Sequence, residues 1–453
     1  MIDLATRPSR LLTNFDEVRS ILSALGPESL DEVRFKAFAR FKDAGIPTQK
    51  DEEFKYISLR ILEEGHFGPA YGATVERSQL AKVPLGELDA ITLAFVNGQY
   101  APELSTADLL PPGAFIGTLA DAIEQSGPEA LASLGKVATL EGKLGKQNDE
   151  RFVDLNTAYL GEGVYVRLED SVILDRPIHV LWLSTADHGP FAAHPRTLAI
   201  LGRGSRANLI ESYIGLAGTY FTNAVSEIVL GDGAILEHTK FQYEGSEAVH
   251  IATVAVTQEG NSTYTSNNLN FGGKTVRNDI NVWLNGEHTE TWLNGAAVGL
   301  GDQVIDNHTR IDHAKPNCHS FETYKTILGD RAHGVFNGKI FVYLDAQKTD
   351  AKQTNQAILL SRTAEFDTKP QLEIFADDVK CTHGATVGQL RDDALFYLRA
   401  RGVPKQEAEA LLVYAFAAEV LEKISVAAAR ESVEKLLFEK LRSKELSEEP
   451  TRG

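Results

Sequence analysis

Two side chains that bind soft and borderline metals stand two residues apart late in this chain. They are Cys381 and His383, within Asp377-Asp378-Val379-Lys380-Cys381-Thr382-His383-Gly384-Ala385-Thr386-Val387-Gly388. A thiolate and an imidazole suit iron, zinc and copper. The preceding Pro370-Gln371-Leu372-Glu373-Ile374-Phe375-Ala376 alternates in strand fashion. A strand carried through the pair puts both side chains on one face, about 7 Å apart along the chain. Two ligands cannot hold a metal alone, so the chemistry would need donors from a partner. The plainer reading makes the cysteine a small buried hydrophobe and the histidine before Gly384 a turn residue, and composition by itself favours it. Asp377 and Asp378 are adjacent, so in a strand they face opposite ways and make a poor acid–base pair for one substrate.

Other motifs carry less. His308, His313, Cys318 and His319 are ligand types, but their spacing matches no zinc ribbon or finger, and they read as structural or solvated residues. Phe271-Gly272-Gly273-Lys274-Thr275 imitates the end of a P-loop. The place of the first glycine holds Asn268, and no helix pattern follows, so a β-turn is expected and no nucleotide bound by this chain. Gly299-Leu300-Gly301 lacks a flanking strand–helix unit and reads as a corner. No Gly-x-Ser-x-Gly elbow occurs.

The elements that must position Cys381 and His383 fall into three zones. At 453 residues the chain exceeds one ordinary core. Residues 1–85 read as a helical domain, with Phe15, Val18, Ile21 and Leu22, then Val33, Phe35, Phe38, Ala39 and Phe41, at helical spacing. Gly26-Pro27 separates two helices and Gly45-Ile46-Pro47 ends the second. Residues 86–387 lose that period, except near Asp121–Leu134. Short β-branched alternations replace it, such as Val164-Tyr165-Val166-Arg167-Leu168 and Thr197-Leu198-Ala199-Ile200-Leu201. Leu201-Gly202-Arg203-Gly204 is echoed by Leu230-Gly231-Asp232-Gly233, then by Gly260-Asn261 and Asn285-Gly286 at similar intervals, and by Gly329-Asp330 after a longer one. The interval is roughly 25–30 residues, in the solenoid range. Spacing alone leaves a β-solenoid and a β-sandwich both open. Residues 388–453 return to helix. Leu390, Leu395, Phe396 and Leu398 form one face, and Gly402-Val403-Pro404 breaks the chain. A stripe of Ala408, Leu411, Leu412, Ala415, Phe416 and Val420 follows, then a Glu/Lys-rich helix from about Val426 to Lys444. The tail over 445–453 is polar and reads as disordered.

Composition excludes several classes. A hydrophobic share of 43% and a charged share of 24% are those of a soluble globular protein. A formal charge of −18 argues against nucleic acid and anionic lipid. No apolar run approaches the ~20 residues that span a bilayer. Met1-Ile2-Asp3-Leu4-Ala5-Thr6-Arg7 lacks a signal-peptide pattern. Cys318 and Cys381 are the only cysteines, which fits a reducing cytoplasm and rules out a four-cysteine site.

Several runs together resemble a known family. They are Gly334-Val335-Phe336-Asn337-Gly338-Lys339-Ile340, Ala346-Gln347-Lys348-Thr349-Asp350-Ala351 with Gln353 and Asn355, Lys369-Pro370-Gln371-Leu372-Glu373-Ile374, the Asp-Asp-Val-Lys-Cys-x-His-Gly-Ala-Thr run, and Leu395-Phe396-Tyr397-Leu398 before Arg401-Gly402. Asp51-Glu52-Glu53-Phe54-Lys55-Tyr56, Phe95-Val96-Asn97-Gly98 and Leu155-Asn156-Thr157-Ala158 are weaker landmarks. The chain resembles the SufB/SufD family of iron–sulfur cluster assembly proteins, on its SufD side because of the Cys-x-His pair. Asn355-Gln356-Ala357-Ile358 departs from an Asn-Leu-Leu-type run without touching the ligands.

The resemblance implies a mainly β protein, a parallel β-helix core between N-terminal and C-terminal helical domains. It implies a cytoplasmic, non-catalytic scaffold that pairs with SufB through the β-helix and with the ATPase SufC through the C-terminal helices. Phe396, Tyr397, Leu398, Arg401, Gly402, Leu411, Leu412 and Phe416 would carry the ATPase contact. A homodimer in isolation is a further option. A transient iron–sulfur cluster would form at the SufB–SufD interface, with His383 as this chain's contribution and Cys381 beside it, His383 staying buried until the ATPase moves the subunits. The rival classes are a β-helix carbohydrate-active enzyme and a purely structural adaptor.

Overall fold

The computed structural model describes residues 11–442 apart from 12–14, 26–29, 70–71, 107–108, 127, 141–142, 144–148 and 188. The Gly26-Pro27 break, the Met1–Arg7 leader reading and the 445–453 tail lie outside these residues. Two sheets face each other. One stacks β1 (Ile91–Val96), β3 (Ile178–Thr185), β5 (Arg206–Ala217), β7 (Ile235–Tyr243), β9 (Thr263–Asn270), β11 (Glu290–Gly299), β13 (His319–Leu328), β15 (Asp350–Leu359) and β17 (Lys380–Gly388). The other stacks β2 (Val164–Leu168), β4 (Arg196–Leu201), β6 (Tyr220–Leu230), β8 (Val249–Gln258), β10 (Thr275–Leu284), β12 (Val304–His313), β14 (His333–Val342) and β16 (Glu365–Ile374). The chain alternates between them and every one of these neighbours pairs in parallel, so the core is a β-solenoid of about eight turns. A sandwich is thereby excluded: its hairpins would give antiparallel ladders.

The repeat is set by stacking. In-register partners Ile235, Thr263, Glu290, His319, Asp350 and Lys380 lie 27 to 31 residues apart. At the corner leading into the odd-numbered sheet, successive turns place Ser171, Gly204, Gly233, Asn261, His288, Asn317 and Lys348 in the left-handed region. Gly204, Gly233 and Asn261 donate their N–H groups to Asp232, Gly260 and Glu287 of the next turn. Two of those corners use glycine, the residue with no Cβ penalty there; later turns use Asn, His and Lys at some cost in strain. The glycine repeat therefore fades along the sequence while the geometry persists. Gly272-Gly273 and Gly299–Gly301 occupy corners at the other edge, as their sequence suggested, and Lys274 pairs with Glu247.

Helices cover the outer faces. Helices α1 (Phe15–Leu25) and α2 (Asp31–Ala44) pack with α4 (Arg151–Ala158) over Phe221, Val249 and Ile251 of the even-numbered sheet. In α2 the buried positions are Arg34, Ala37 and Phe41, whereas Phe35 is exposed. Arg34 donates through Nε to the Leu160 carbonyl and through Nη1 to Asp31, which offsets part of the cost of a charge at a core position. Helix α3 (Leu119–Ser126) matches the expected helical stretch. Helix α4 was not legible because it is buried from Phe152 to Ala158 and so has no polar stripe. Its Asn156 bonds the Pro195 and Asn223 carbonyls, and the buried Arg196–Glu227 pair fixes the adjoining loop through the N–H groups of Gly135, Val137 and Ala138. After the solenoid come α5 (Asp392–Arg399), α6 (Lys405–Leu421) and α7 (Ala427–Arg442). Val413, Ala417 and Val420 of α6 pack over Phe241, Leu269, Ala296 and Ile327 of the odd-numbered sheet.

The interior is polar as well as apolar. Glu211 accepts from Thr197, Ser226 and His238, the last at 2.7 Å. Burial works to raise Glu211, but these bonds win and hold it below the usual carboxylate range. Lys240 bonds Asn278 at 2.9 Å, and burial pushes it down to about 7. Burial also pushes His179, His194 and His313 down to about 4, about 3 and about 3. The unfolded chain protonates each of them near pH 6.5 and the folded chain does not. Their share of stability is thus full above pH 6.5 and is lost toward pH 4, at up to ~1.4 kcal/mol per unit each. Glu322, raised to about 7 by burial against bonds from Thr309 and Gln353, acts in the opposite sense between about 4.5 and 7. Urea titrations should therefore give a lower midpoint at pH 5 than at pH 7, with a steeper fall for Glu322→Gln. Equal midpoints at both pH values would contradict this balance.

Candidate metal-ligand site at the open end of the solenoid

The solenoid ends on two long strands. β16 pairs only with β14 and β17 only with β15, so among the described residues one edge of each carries no partner strand. Pro370 sits inside β16, a place proline tolerates only at such an edge. Exposed Leu344, Phe375 and Val387 surround this end. A long exposed edge with apolar neighbours is a surface that pairs with another chain unless it is blocked.

Cys381 and His383 lie in β17, but not on a continuation of the Pro370–Ile374 strand as the sequence suggested. A corner at 375–379 intervenes, and the two strands belong to opposite sheets. Asp377 and Asp378 form that corner, where Asp378 bonds Gln347 and pairs with Lys348 of the turn below. The shared face holds. Cys381 packs with Ile340, Val342, Ala346, Ala351 and Ala376 inside the solenoid, so His383, two residues on, takes the same inward side. His383 is exposed because no turn follows it. The burial expected of it before the ATPase moves the subunits therefore has to come from a neighbouring chain. Burial, reinforced by Asp350, raises the half-buried Cys381 thiol above its ordinary value.

Register identifies what lies beneath His383. Its neighbour in β15 is Gln353, and the next in β13 is Glu322. Both are buried, and the Gln353 amide nitrogen donates to a Glu322 oxygen at 2.6 Å. Gly338 of β14 faces them: a Cβ there would stand 2.2 Å from the Gln353 nitrogen. Gln353 and Gly338 belong to runs that resembled the family, yet sequence reasoning gave them no role. Aligning the turns at their 27-to-31-residue spacing would have put Gln353 under His383.

The other ligand types disperse. His308 lies on the outer face, bonded to Asp306 at 2.9 Å and near Glu53 and Arg277. Burial and Arg277 pull its pKa down, but Asp306 and Glu53 hold it above the usual value. His313 is buried and bonds Ser320 at 2.9 Å. Cys318 is buried with its sulfur 3.2 Å from the Gly286 carbonyl, and His319 begins β13. Among the described residues no three His, Cys, Asp or Glu side chains come together as a metal site.

The C-terminal residues divide. Phe396, Tyr397, Arg401, Gly402 and Leu411 are exposed; Leu398 and Leu412 are half-buried. Phe416 is half-buried under Lys325, which stands 4.5 Å from its ring centre and pairs with Glu419 at 2.6 Å. The buried stripe of α6 is Ala408, Ala410, Val413, Ala417, Val420 and Leu421. Of the expected stripe Ala408 and Val420 are buried while Leu411 and Ala415 are exposed, because this helix is apolar on most sides and sequence periodicity fixed its inner face only in part. No helix among the described residues is long and apolar enough to cross a membrane.

Fold and site thus define a class: a helix-flanked parallel β-solenoid whose last strand presents a Cys-x-His pair at an unpaired edge. Residues 183–416 match the family model described as SUF system FeS cluster assembly, SufBD core domain, and residues 6–180 match the SufBD protein N-terminal region. The chain is 34% identical to an iron–sulfur cluster assembly SufBD family protein of Synechocystis, over 84% of each chain. It is 34% identical to the iron–sulfur cluster assembly protein SufD of Escherichia coli, over 84% of this chain and 86% of that one. A chloroplastic protein of Arabidopsis thaliana is 28% identical over 83% and 79%. The chain belongs to the SufBD family of iron–sulfur cluster assembly proteins, and its likeness extends to members named SufD.

The two thiols differ in access. In the folded chain Cys381 should alkylate with iodoacetamide at a measurable rate, slower than a free thiol, while Cys318 stays unmodified until denaturant is added. Equal rates in mass-spectrometric time courses would contradict the burial described above.

Proposed function

We propose that this chain is a non-catalytic scaffold subunit of a cytoplasmic SUF assembly complex. It pairs with SufB through the open end of its β-solenoid, and a nascent iron–sulfur cluster, as cargo, forms where the two chains meet. The observation that carries this reading is the inward-facing Cys381–His383 pair beside an unpaired sheet edge. Two donors from one chain leave iron under-ligated, so a second chain that extends the sheets and brings further ligands completes the pocket. Shared ligation also makes a cluster transferable. The His383 imidazole supplies a neutral nitrogen, and the Cys381 thiol supplies sulfur once a cation lowers its raised pKa. In the absence of SufB the same edges allow two copies of this chain to pair.

The C-terminal helices are read as the dock for the ATPase SufC. Exposed Phe396, Tyr397 and Leu411 support this, with the Arg401 guanidinium 3.4 Å from the Tyr397 ring centre as a preformed polar–aromatic corner. Phe416 belongs to the seat of α6 on the solenoid rather than to the dock.

His383→Ala should lower cluster yield on the anaerobically reconstituted complex by at least tenfold while the subunits still co-purify. Unchanged iron and sulfide content would favour a purely structural adaptor. Phe396→Ala with Tyr397→Ala, both exposed, should weaken ATPase capture at least tenfold without shifting the melting temperature of the isolated chain. Retained capture would remove α5 from the interface.

A further inference from the structure

We propose that Gln353 is a positioning residue for His383. Its side-chain carbonyl oxygen accepts the N–H of the imidazole and so turns the opposite ring nitrogen outward, toward iron. This rests on the reading of His383 as an iron ligand.

Four observations carry it. First, Gln353 is the in-register neighbour of His383 on the inward face, and such neighbours are about 4.8 Å apart. Second, the Gln353 amide is oriented from below. Its nitrogen donates to Glu322 at 2.6 Å, which commits the NH2 end and leaves the carbonyl oxygen as the free end. Third, that oxygen is buried and has no hydrogen-bond partner, although Gln353 is only 1% exposed. An unsatisfied buried acceptor is costly, and the group beside it able to donate is the histidine of the next turn. Fourth, the amide occupies a slot that exists only because Gly338 lacks a Cβ across the interior.

The fold does not require this arrangement. One turn below Glu322 the same row holds Leu293, fully buried, so an apolar side chain fills the place without any hydrogen bond. A polar relay appears in the two turns directly under the histidine. A metal-binding imidazole commonly donates its second N–H to a carbonyl or carboxylate, which fixes tautomer and ring angle. In the free chain His383 is exposed and water competes for its N–H. Closure of the end by a partner strand excludes that water and leaves the Gln353 oxygen as acceptor.

The test is ferrous iron binding, without sulfide, to the anaerobic complex of this chain with SufB. Gln353→Leu should weaken binding by about 10- to 100-fold. The exchange Gln353→Glu with Glu322→Gln, which keeps one amide donating to one carboxylate and still leaves an acceptor under His383, should return it to within threefold of the parent. His383→Ala should bind at least as weakly as Gln353→Leu, and the double variant of these two no more weakly than His383→Ala. Parent-like binding by Gln353→Leu, failure of the exchange to rescue, or additivity in that double variant would overturn the proposal. Parent-like binding by His383→Ala would overturn the ligand reading as well, whereas a defect there with none in Gln353→Leu removes only the positioning role. If Gln353→Leu does not assemble, Glu322→Met decides: it keeps the length of the side chain but removes the acceptor that orients the Gln353 amide. A several-fold loss supports the relay and no loss overturns it.

Discussion

Each turn of the solenoid has to match the turn below it residue for residue. Parallel strands satisfy their backbones only through evenly spaced bonds to neighbours in the same direction. The chain meets that demand with corners that return it at a 27-to-31-residue interval and hold one residue per turn at positive φ. A slip of one residue would turn every inward side chain outward. Glu211, Lys240 and Glu322 would then leave their partners, and Ala351 and Cys381 would leave the core.

Register also creates the open end. Because rows run unbroken along the solenoid, the last turn inherits the inward face of the turn below. His383 therefore projects into a place that would be core if another turn followed. The molecule stops one layer short of closure there, whereas elsewhere helices seal both outer faces. An end left with two unpaired edges, apolar neighbours and two inward donors is suited to continuation by another polypeptide. The same rows bring Glu322 and Gln353 under the histidine, so one constraint sets the exposed imidazole and the two buried polar side chains beneath it.

The buried charges belong to this design. Arg196 with Glu227 tethers the helical insertion to the even-numbered sheet, and Arg277 with Asp306 and Asp279 does so for the segment around Glu53. Paired charges of this kind are weak contributors as pairs and expensive to break singly, at ~3–5 kcal/mol. They hold the N-terminal segment in one place on the sheet.

Sequence alone determined the strand-rich middle, the corner glycines, the helical ends and the shared face of Cys381 and His383, because local period and residue type dictate these. It left solenoid and sandwich open until family likeness was considered, since a glycine every turn is compatible with both. It misplaced the strand leading to Cys381 because a five-residue corner without glycine reads as continuous extended chain. It missed α4, and it found the inner face of α6 only in part, because a buried or broadly apolar helix has no polar side to fix its phase. Only the tertiary structure decided that His383 lies uncovered at a sheet end above Gln353 and Glu322. Those three residues are 30 and 31 positions apart, and only stacking of whole turns brings them into one row.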